Sequence, residues 1–322
     1  MKSLRIVFMG TPEFAVATLG SLLMNGINIA GVVTAPDRPS GRGRKITKSA
    51  VKVFAEFSNL PVIMQPLNLK DPEFISSLKK LNADLFIVVA FRMLPEEVWK
   101  IPPLGTINLH ASLLPDYRGA APINHAIING ETTTGVTTFF IDEKIDTGNV
   151  ILREEVQIFP FDNAGDLHDR LMRLGARLVI RTLEDISENK VKALPQTKQG
   201  DQPKLAPKIH PNDCIIDWNN DPVKIHNLVR GLSPYPCARS WFKSDSATIS
   251  FKIFESQPEM EMHAFKPGTI FSDGKHYIRI SCKNGFLNIV SLQLEGKARM
   301  STIQFLRGFR IADFTVAVIR PV

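Results

Sequence analysis

Cysteine is scarce: Cys214, Cys237 and Cys282 are the only three in 322 residues. Their odd number and wide spacing exclude a disulfide framework and a CxxC metal or redox pair. They read as structural packing residues. Long apolar runs are lacking too. A run such as Asp84-Leu-Phe-Ile-Val-Val-Ala-Phe91 stops far short of the roughly 18 residues needed to cross a bilayer. The N-terminus has no apolar signal core followed by a small-residue cleavage site. The expectation is a soluble, cytoplasmic protein with no membrane association. A dinucleotide fingerprint is also missing. The first turn reads Gly10-Thr-Pro-Glu-Phe14 rather than G-x-G-x-x-G, and without a second glycine the backbone cannot approach a pyrophosphate closely. NAD and FAD are therefore not expected. The seven histidines form no cluster with ligand spacing. There is no internal repeat and no low-complexity tract.

What is present is a globular composition, 44% hydrophobic and 22% charged, in a chain long enough for about two domains. Residues 4–9 read as a strand, Gly10-Thr-Pro12 as a turn, and an apolar helical pattern follows through Leu23. Strands at 29–34, 61–64, 85–90 and 106–110 then alternate with helices at 50–57 and 71–81. The run 85–90 is apolar throughout, as a strand buried on both faces of a parallel sheet should be. This alternation predicts an α/β domain: a Rossmann-like, doubly wound, mostly parallel sheet. Two β-rich runs, 136–141 and 149–156, and a long helix over 164–187 complete it. Proline-bearing sequence without apolar periodicity reads as a linker over 190–209. The predicted domains are thus 1–189 and 210–322. In the second, a helix over 221–231 and brief alternating runs predict a small β-barrel.

Charge is unevenly spread. Residues from Lys204 onward carry 16 basic and 10 acidic side chains, whereas residues 1–203 carry 23 and 22. Within the first part, Thr34–Lys52 holds Arg38, Arg42, Arg44, Lys45, Lys48 and Lys52 against Asp37 alone. Both regions are candidates to bind phosphate.

The strongest chemical signal is Asn108-Leu-His110-Ala-Ser-Leu-Leu-Pro115. Two residues apart on a strand, Asn108 and His110 project from one face. They stand where the strand meets a turn-rich loop, at the sheet end where open α/β folds bind ligands. An amide donor beside an imidazole can hold a developing oxyanion and move a proton. A loop-capping Asn and a His satisfied by a backbone carbonyl explain the same spacing equally well. Asp146, in Lys144-Ile-Asp-Thr-Gly148, is a turn residue by itself. It becomes the orienter of His110 if its loop folds beside that strand.

These motifs, with Met9–Ala15, Thr34–Lys45, Tyr117-Arg-Gly-Ala-Ala-Pro122, Asp217-Trp218 and Arg230–Pro236, resemble the bacterial methionyl-tRNA formyltransferases along the whole chain. That family belongs to the 10-formyltetrahydrofolate-dependent formyltransferases. The resemblance implies catalytic roles for Asn108, His110 and Asp146, and folate contacts from Ser112, Leu113, Leu114 and Pro115. It implies tRNA contacts from Arg38, Gly41, Arg42, Arg44 and Lys45, with Arg42 at the family's functional arginine. It further implies 10-formyltetrahydrofolate as co-substrate without a metal, initiator methionyl-tRNA as acceptor, an OB-like second domain that adds tRNA surface, and a monomer. A UDP-linked amino sugar as acceptor and a non-catalytic RNA-binding protein are the competing readings. The Arg42 loop counts against the first, and retention of Asn108, His110 and Asp146 against the second. Trp241, Phe242 and Phe251 are expected in the barrel core, and Trp218 and Tyr235 in domain packing.

Overall fold

The computed structural model describes residues 4–40, 45–196, 202–311 and 314–316. The N-terminal elements are β1 (Arg5–Gly10), α1 (Glu13–Met24), β2 (Asn28–Val33), β3 (Arg38–Ser40), β4 (Lys45–Thr47), α2 (Ala50–Phe57), β5 (Ile63–Met64) and α3 (Pro72–Lys80). Next come β6 (Leu85–Val89), α4 (Glu96–Trp99), β7 (Thr106–His110), β8 (Arg118–Gly119), α5 (Pro122–Ile128), β9 (Thr133–Phe140), β10 (Val150–Gln157) and α6 (Ala164–Ser187). The remainder holds β11 (Leu205–Ala206), α7 (Pro222–Leu232), β12 (Ala238–Lys243), β13 (Thr248–Glu259), β14 (Ile270–Phe271), β15 (Arg279–Cys282), β16 (Gly285–Leu294), β17 (Met300–Ser301), α8 (Thr302–Leu306) and β18 (Thr315–Val316).

The chain divides into two compact units that are interleaved in sequence. The first comprises Met1–Gly119, Thr133–Gln157 and His168–Leu205; the second comprises Ala120–Thr132, Ile158–Leu167 and Ala206–Val322. The segments 120–132 and 158–167 thus belong with the second unit although they lie inside the sequence span of the first.

In the first unit the sheet order is β10-β9-β7-β6-β1-β2-β5. The strands from β7 to β5 run parallel, while β9 is antiparallel to β7 and β10 to β9. Every residue of β6 is buried, as its unbroken apolar run requires. Helix starts follow their sequence signals. Ser49 accepts a hydrogen bond from the Lys52 N–H, and Asp71 accepts one from the Glu73 N–H with Pro72 in the first turn. Gly10 serves packing. A Cβ there would lie 2.6 Å from the Ala15 Cβ and 3.1 Å from the Val89 carbonyl oxygen, so the turn after β1 is pressed against α1 and β6.

In the second unit an antiparallel sheet runs β14-β15-β16-β13-β12-β18, with β17 on β16. The Val316 N–H reaches the Gly268 carbonyl at 3.1 Å, next to β14, so the sheet curls into a nearly closed barrel. Trp218, Phe242, Phe251 and Phe286 are fully buried in it, and the Phe242 and Phe251 rings stack at 3.9 Å between centroids. Two aromatics depart from expectation: Trp241 is only half-buried, on the face of β12 opposite Phe242, and Tyr235 is 81% exposed. The three cysteines are buried free thiols, and burial pushes the Cys282 thiol up to about 12. Among the described residues no helix is long and apolar enough to cross a membrane, and no group of His, Cys, Asp or Glu could hold a metal ion.

Candidate active site at the carboxyl end of β7

Strand β7 lies between β6 and β9, with Asn108 opposite Val88 on one side and Phe139 on the other. Its residues alternate between the two faces. Leu109 meets Gly175 of α6 so closely that a Cβ at 175 would stand 2.7 Å from it. Asn108 and His110 therefore point to the opposite face. His110 is 7% exposed; Asn108 is half-buried, and its amide has no partner among the described residues.

The imidazole is held by the loop that follows the strand. His110 Nε2 lies 2.8 Å from the Tyr117 carbonyl oxygen. A carbonyl only accepts, so Nε2 carries the hydrogen, and in the neutral ring Nδ1 is the bare nitrogen. Nδ1 faces Asp146 Oδ2 at 3.7 Å. That separation is beyond a hydrogen bond and sets the carboxylate facing the bare ring nitrogen. The ring is therefore oriented by the Tyr117 carbonyl, while Asp146 supplies charge.

Two loops set these partners. In residues 111–119, the Ser112 hydroxyl donates to the Asp116 carbonyl at 2.6 Å, and the Thr137 hydroxyl donates to the Ser112 carbonyl at 2.7 Å. Leu114 follows a buried path, packed with Phe139 and Val150. Tyr117 then takes φ +62°, which turns its carbonyl toward His110. In the second loop, between β9 and β10, Asp142 accepts hydrogen bonds from the Lys144 N–H at 3.0 Å and the Thr147 hydroxyl at 2.7 Å. Asp146 sits at φ +55°, and its Oδ2 accepts the Gly119 N–H at 2.9 Å. Gly148 has to be glycine, because a Cβ there would overlap the Phe140 carbonyl oxygen. Both left-handed residues are non-glycine and border the same histidine, a place where strain is commonly stored for function.

The structure brings Asn108, His110 and Asp146 into one unit and sets the last two side by side. It separates the segment 112–115 by burial. Ser112 and Leu114 are 0% and 1% exposed, so their side chains shape the loop, whereas Leu113 and Pro115 keep partly exposed apolar surface. Gly135 makes room for Leu113: a Cβ there would come within 2.5 Å of its Cδ2.

The basic stretch is not an unstructured loop at its base. β3 and β4 pair as an antiparallel hairpin, Arg38 opposite Thr47. Arg38 is exposed; Gly41, Arg42 and Arg44 lie outside the described residues, as does the side chain of Lys45. Lys52 pairs with Asp37 at 2.6 Å, and Gln65 donates to the same carboxylate at 2.7 Å. These contacts hold the Asp37 carboxyl below its usual range. Lys48 pairs with Glu56 at 2.8 Å. Among the described residues, Lys48 and Lys52 are thus used within the fold.

Sequence reading missed the Tyr117 carbonyl, the Gly119 N–H and Gln196. The two backbone groups leave no trace in residue identity beyond the glycine itself.

Two family models match the chain: "Formyl transferase" over residues 4–183 and "Formyl transferase, C-terminal domain" over 208–310. The chain belongs to the formyl transferase family. The methionyl-tRNA formyltransferase of Flavobacterium johnsoniae is 54% identical over 97% of this chain and 98% of that protein. The one from Bacteroides fragilis is 51% identical over 97% of each. Among solved structures, the sugar 3N-formyl transferase WlaRD matches with a TM-score of 0.63 at 23% identity, covering 92% of this chain and 100% of that one. HypX from Aquifex aeolicus in complex with tetrahydrofolic acid matches with a TM-score of 0.62 at 20% identity, covering 98% of this chain and 51% of that one. Both likenesses concern the fold.

Proposed function

We propose that this enzyme transfers the formyl group of 10-formyltetrahydrofolate to the α-amino group of methionine on initiator methionyl-tRNA, giving N-formylmethionyl-tRNA. The observation that carries this reading is the end-to-end identity with proteins of that name, at 54% for the Flavobacterium johnsoniae enzyme. The site's chemistry supports it. The folate derivative supplies an activated formyl carbon. Asn108, with its amide uncommitted, donates to the carbonyl oxygen as negative charge develops there. His110 takes up the proton of the attacking amine at Nδ1, the nitrogen left bare by the Tyr117 contact, and returns it to N10 as the C–N10 bond breaks and tetrahydrofolate leaves. Asp146, 3.7 Å away, stabilises the imidazolium so formed. Leu113 and Pro115 offer side-chain surface to the folate, and Ser112 and Leu114 contribute through the backbone they hold. The catalytic work belongs to residues 1–189, and the basic residues of 210–322 add tRNA surface to that offered by Arg38, Gly41, Arg42, Arg44 and Lys45. The protein acts as a cytoplasmic monomer and needs no metal.

The test is transfer of labelled formyl from 10-formyltetrahydrofolate, with methionyl initiator tRNA and a UDP-linked amino sugar offered in parallel. Label is expected on the tRNA and is expected to fall by about 100-fold or more in Asn108→Ala, the cost of one lost oxyanion donor. Label on the sugar instead would overturn the acceptor and leave the chemistry standing.

A further inference from the structure

Gln196 lies in sequence that reads as a linker, yet its side chain spans the two loops that hold His110 and Asp146. Its amide nitrogen donates to the Asp146 carbonyl at 3.0 Å and to the Gly148 carbonyl at 2.8 Å. Its amide oxygen accepts from Arg118 Nε at 3.1 Å and from the same guanidinium's terminal nitrogen at 2.7 Å. Arg118 is flanked by Tyr117, whose carbonyl orients His110, and by Gly119, whose N–H fixes the Asp146 carboxylate. One amide therefore closes a ring that runs from His110 through Tyr117, Arg118, Gln196 and Asp146 back to His110. The backbone delivers it there in a fixed register. Leu194, two residues earlier, exchanges both backbone hydrogen bonds with Val150 of β10, at 2.8 and 2.9 Å.

We infer that Gln196 is a positioning residue of the active site, which sets the Asp146 carboxylate against His110 by clamping the left-handed turn at Asp146 onto Arg118. A glutamine is suited to this task because it presents two donors and an acceptor from one rigid plane without adding charge beside the carboxylate. Without the clamp, Asp146 keeps the Gly119 bond but loses the contact that fixes its main chain at φ +55°. The inference rests on the roles proposed above for His110 and Asp146.

The experiment is steady-state kinetics of the full-length chain with 10-formyltetrahydrofolate and methionyl initiator tRNA, for Gln196→Leu, Asp146→Asn and the double variant. Gln196→Leu is expected to lower kcat by about 10- to 100-fold, the scale of a displacement near 1 Å, with KM for both substrates unchanged within about two-fold. Added to Asp146→Asn it is expected to cost less than about two-fold, because the two act through one carboxylate. Gln196→Glu keeps the acceptor for Arg118 but sets a charge against two carbonyls. It serves where the leucine variant does not fold, and the same loss in kcat is expected. An unchanged kcat in Gln196→Leu, or an equal loss in the Asp146→Asn background, would overturn the inference while leaving the roles of His110 and Asp146 intact. Full activity in Asp146→Asn would overturn those roles and this inference with them.

Discussion

In the second unit, buried polar side chains face one another: Trp218 Nε1 donates to the Ser240 hydroxyl at 3.0 Å, and His226 Nδ1 lies 3.1 Å from the Ser256 hydroxyl. Arg230 is spent on the Asn227 side chain at 2.8 Å and the Asp162 carbonyl at 3.1 Å. Around β7 of the first unit the partners are different in kind. His110 and the Asp146 carboxylate are each held by a backbone group, and the Asn108 amide is held by none among the described residues. Side chains that satisfy each other have no capacity left for a ligand. Side chains pinned by the backbone keep one reactive edge free, and that separates a site from a well-made core.

The sharpest way to break this contrast is a methyl group in the backbone of the site. Gly148→Ala drives its Cβ into the Phe140 carbonyl oxygen, so the turn must shift, and Asp146 is two residues away. The expected result is a loss in kcat of about 100-fold, since a displacement near 1 Å has that effect on catalytic geometry. Thermal unfolding read beside kcat separates displacement from loss of the fold. A kcat equal to that of the parent chain would show that the loop absorbs the methyl and that the positions of these backbone partners are not exacting.

Much of this was readable beforehand, for reasons that differ by element. β7 and the helices α2 and α6 fall where the sequence places them, because apolar period and capping residues are local signals. Asn108 and His110 share a face by strand geometry alone. By contrast, α5 begins with a proline in the first turn, a start signal present in Ala121-Pro122 but masked by the turn-rich residues before it. The role of Gln196 is set by contacts 48 to 78 residues apart in the chain, and the interleaving of the units by contacts such as Asn124 to Gly231, 107 apart. No local pattern encodes these. Asp146 was legible as a residue but not as a distance, and the Tyr117 carbonyl that bonds the His110 ring has no sequence signature.

The second unit can be probed where it buries a titratable group. Burial, with the Arg230 cation beside it, pulls His226 down to about 4. The folded chain thus refuses a proton that the unfolded chain accepts near pH 6.5, so this contribution to stability is complete above pH 6.5 and is lost as pH falls toward 4. Denaturant unfolding of the barrel is expected to weaken by about 2 kcal/mol between pH 7 and pH 5 on this account. His226→Gln should flatten the dependence over that interval. An undiminished slope in the variant would assign it to other groups and weaken the view that polar contacts here serve only the fold.

The smallest effect concerns surface cations, where the same distinction between committed and free groups applies. In the barrel, Arg279 pairs with Glu259 and Glu261, and Arg299 with Glu255, so the excess of positive charge overstates what a polyanion meets. At the hairpin, Lys48 is committed to Glu56, whereas Arg38 is exposed and forms no ion pair among the described residues. A phosphate neutralised by a free cation releases counterions; one offered to a paired cation must first break the pair. Arg38→Ala is therefore expected to reduce the slope of log K for tRNA against log salt by about 1, the value of one phosphate contact. Lys48→Ala is expected to leave the slope unchanged. Filter binding over a salt series reads both, and equal slopes for the two variants would mean that tRNA competes successfully for Lys48, so that pairing in the free protein does not decide which cations the nucleic acid uses.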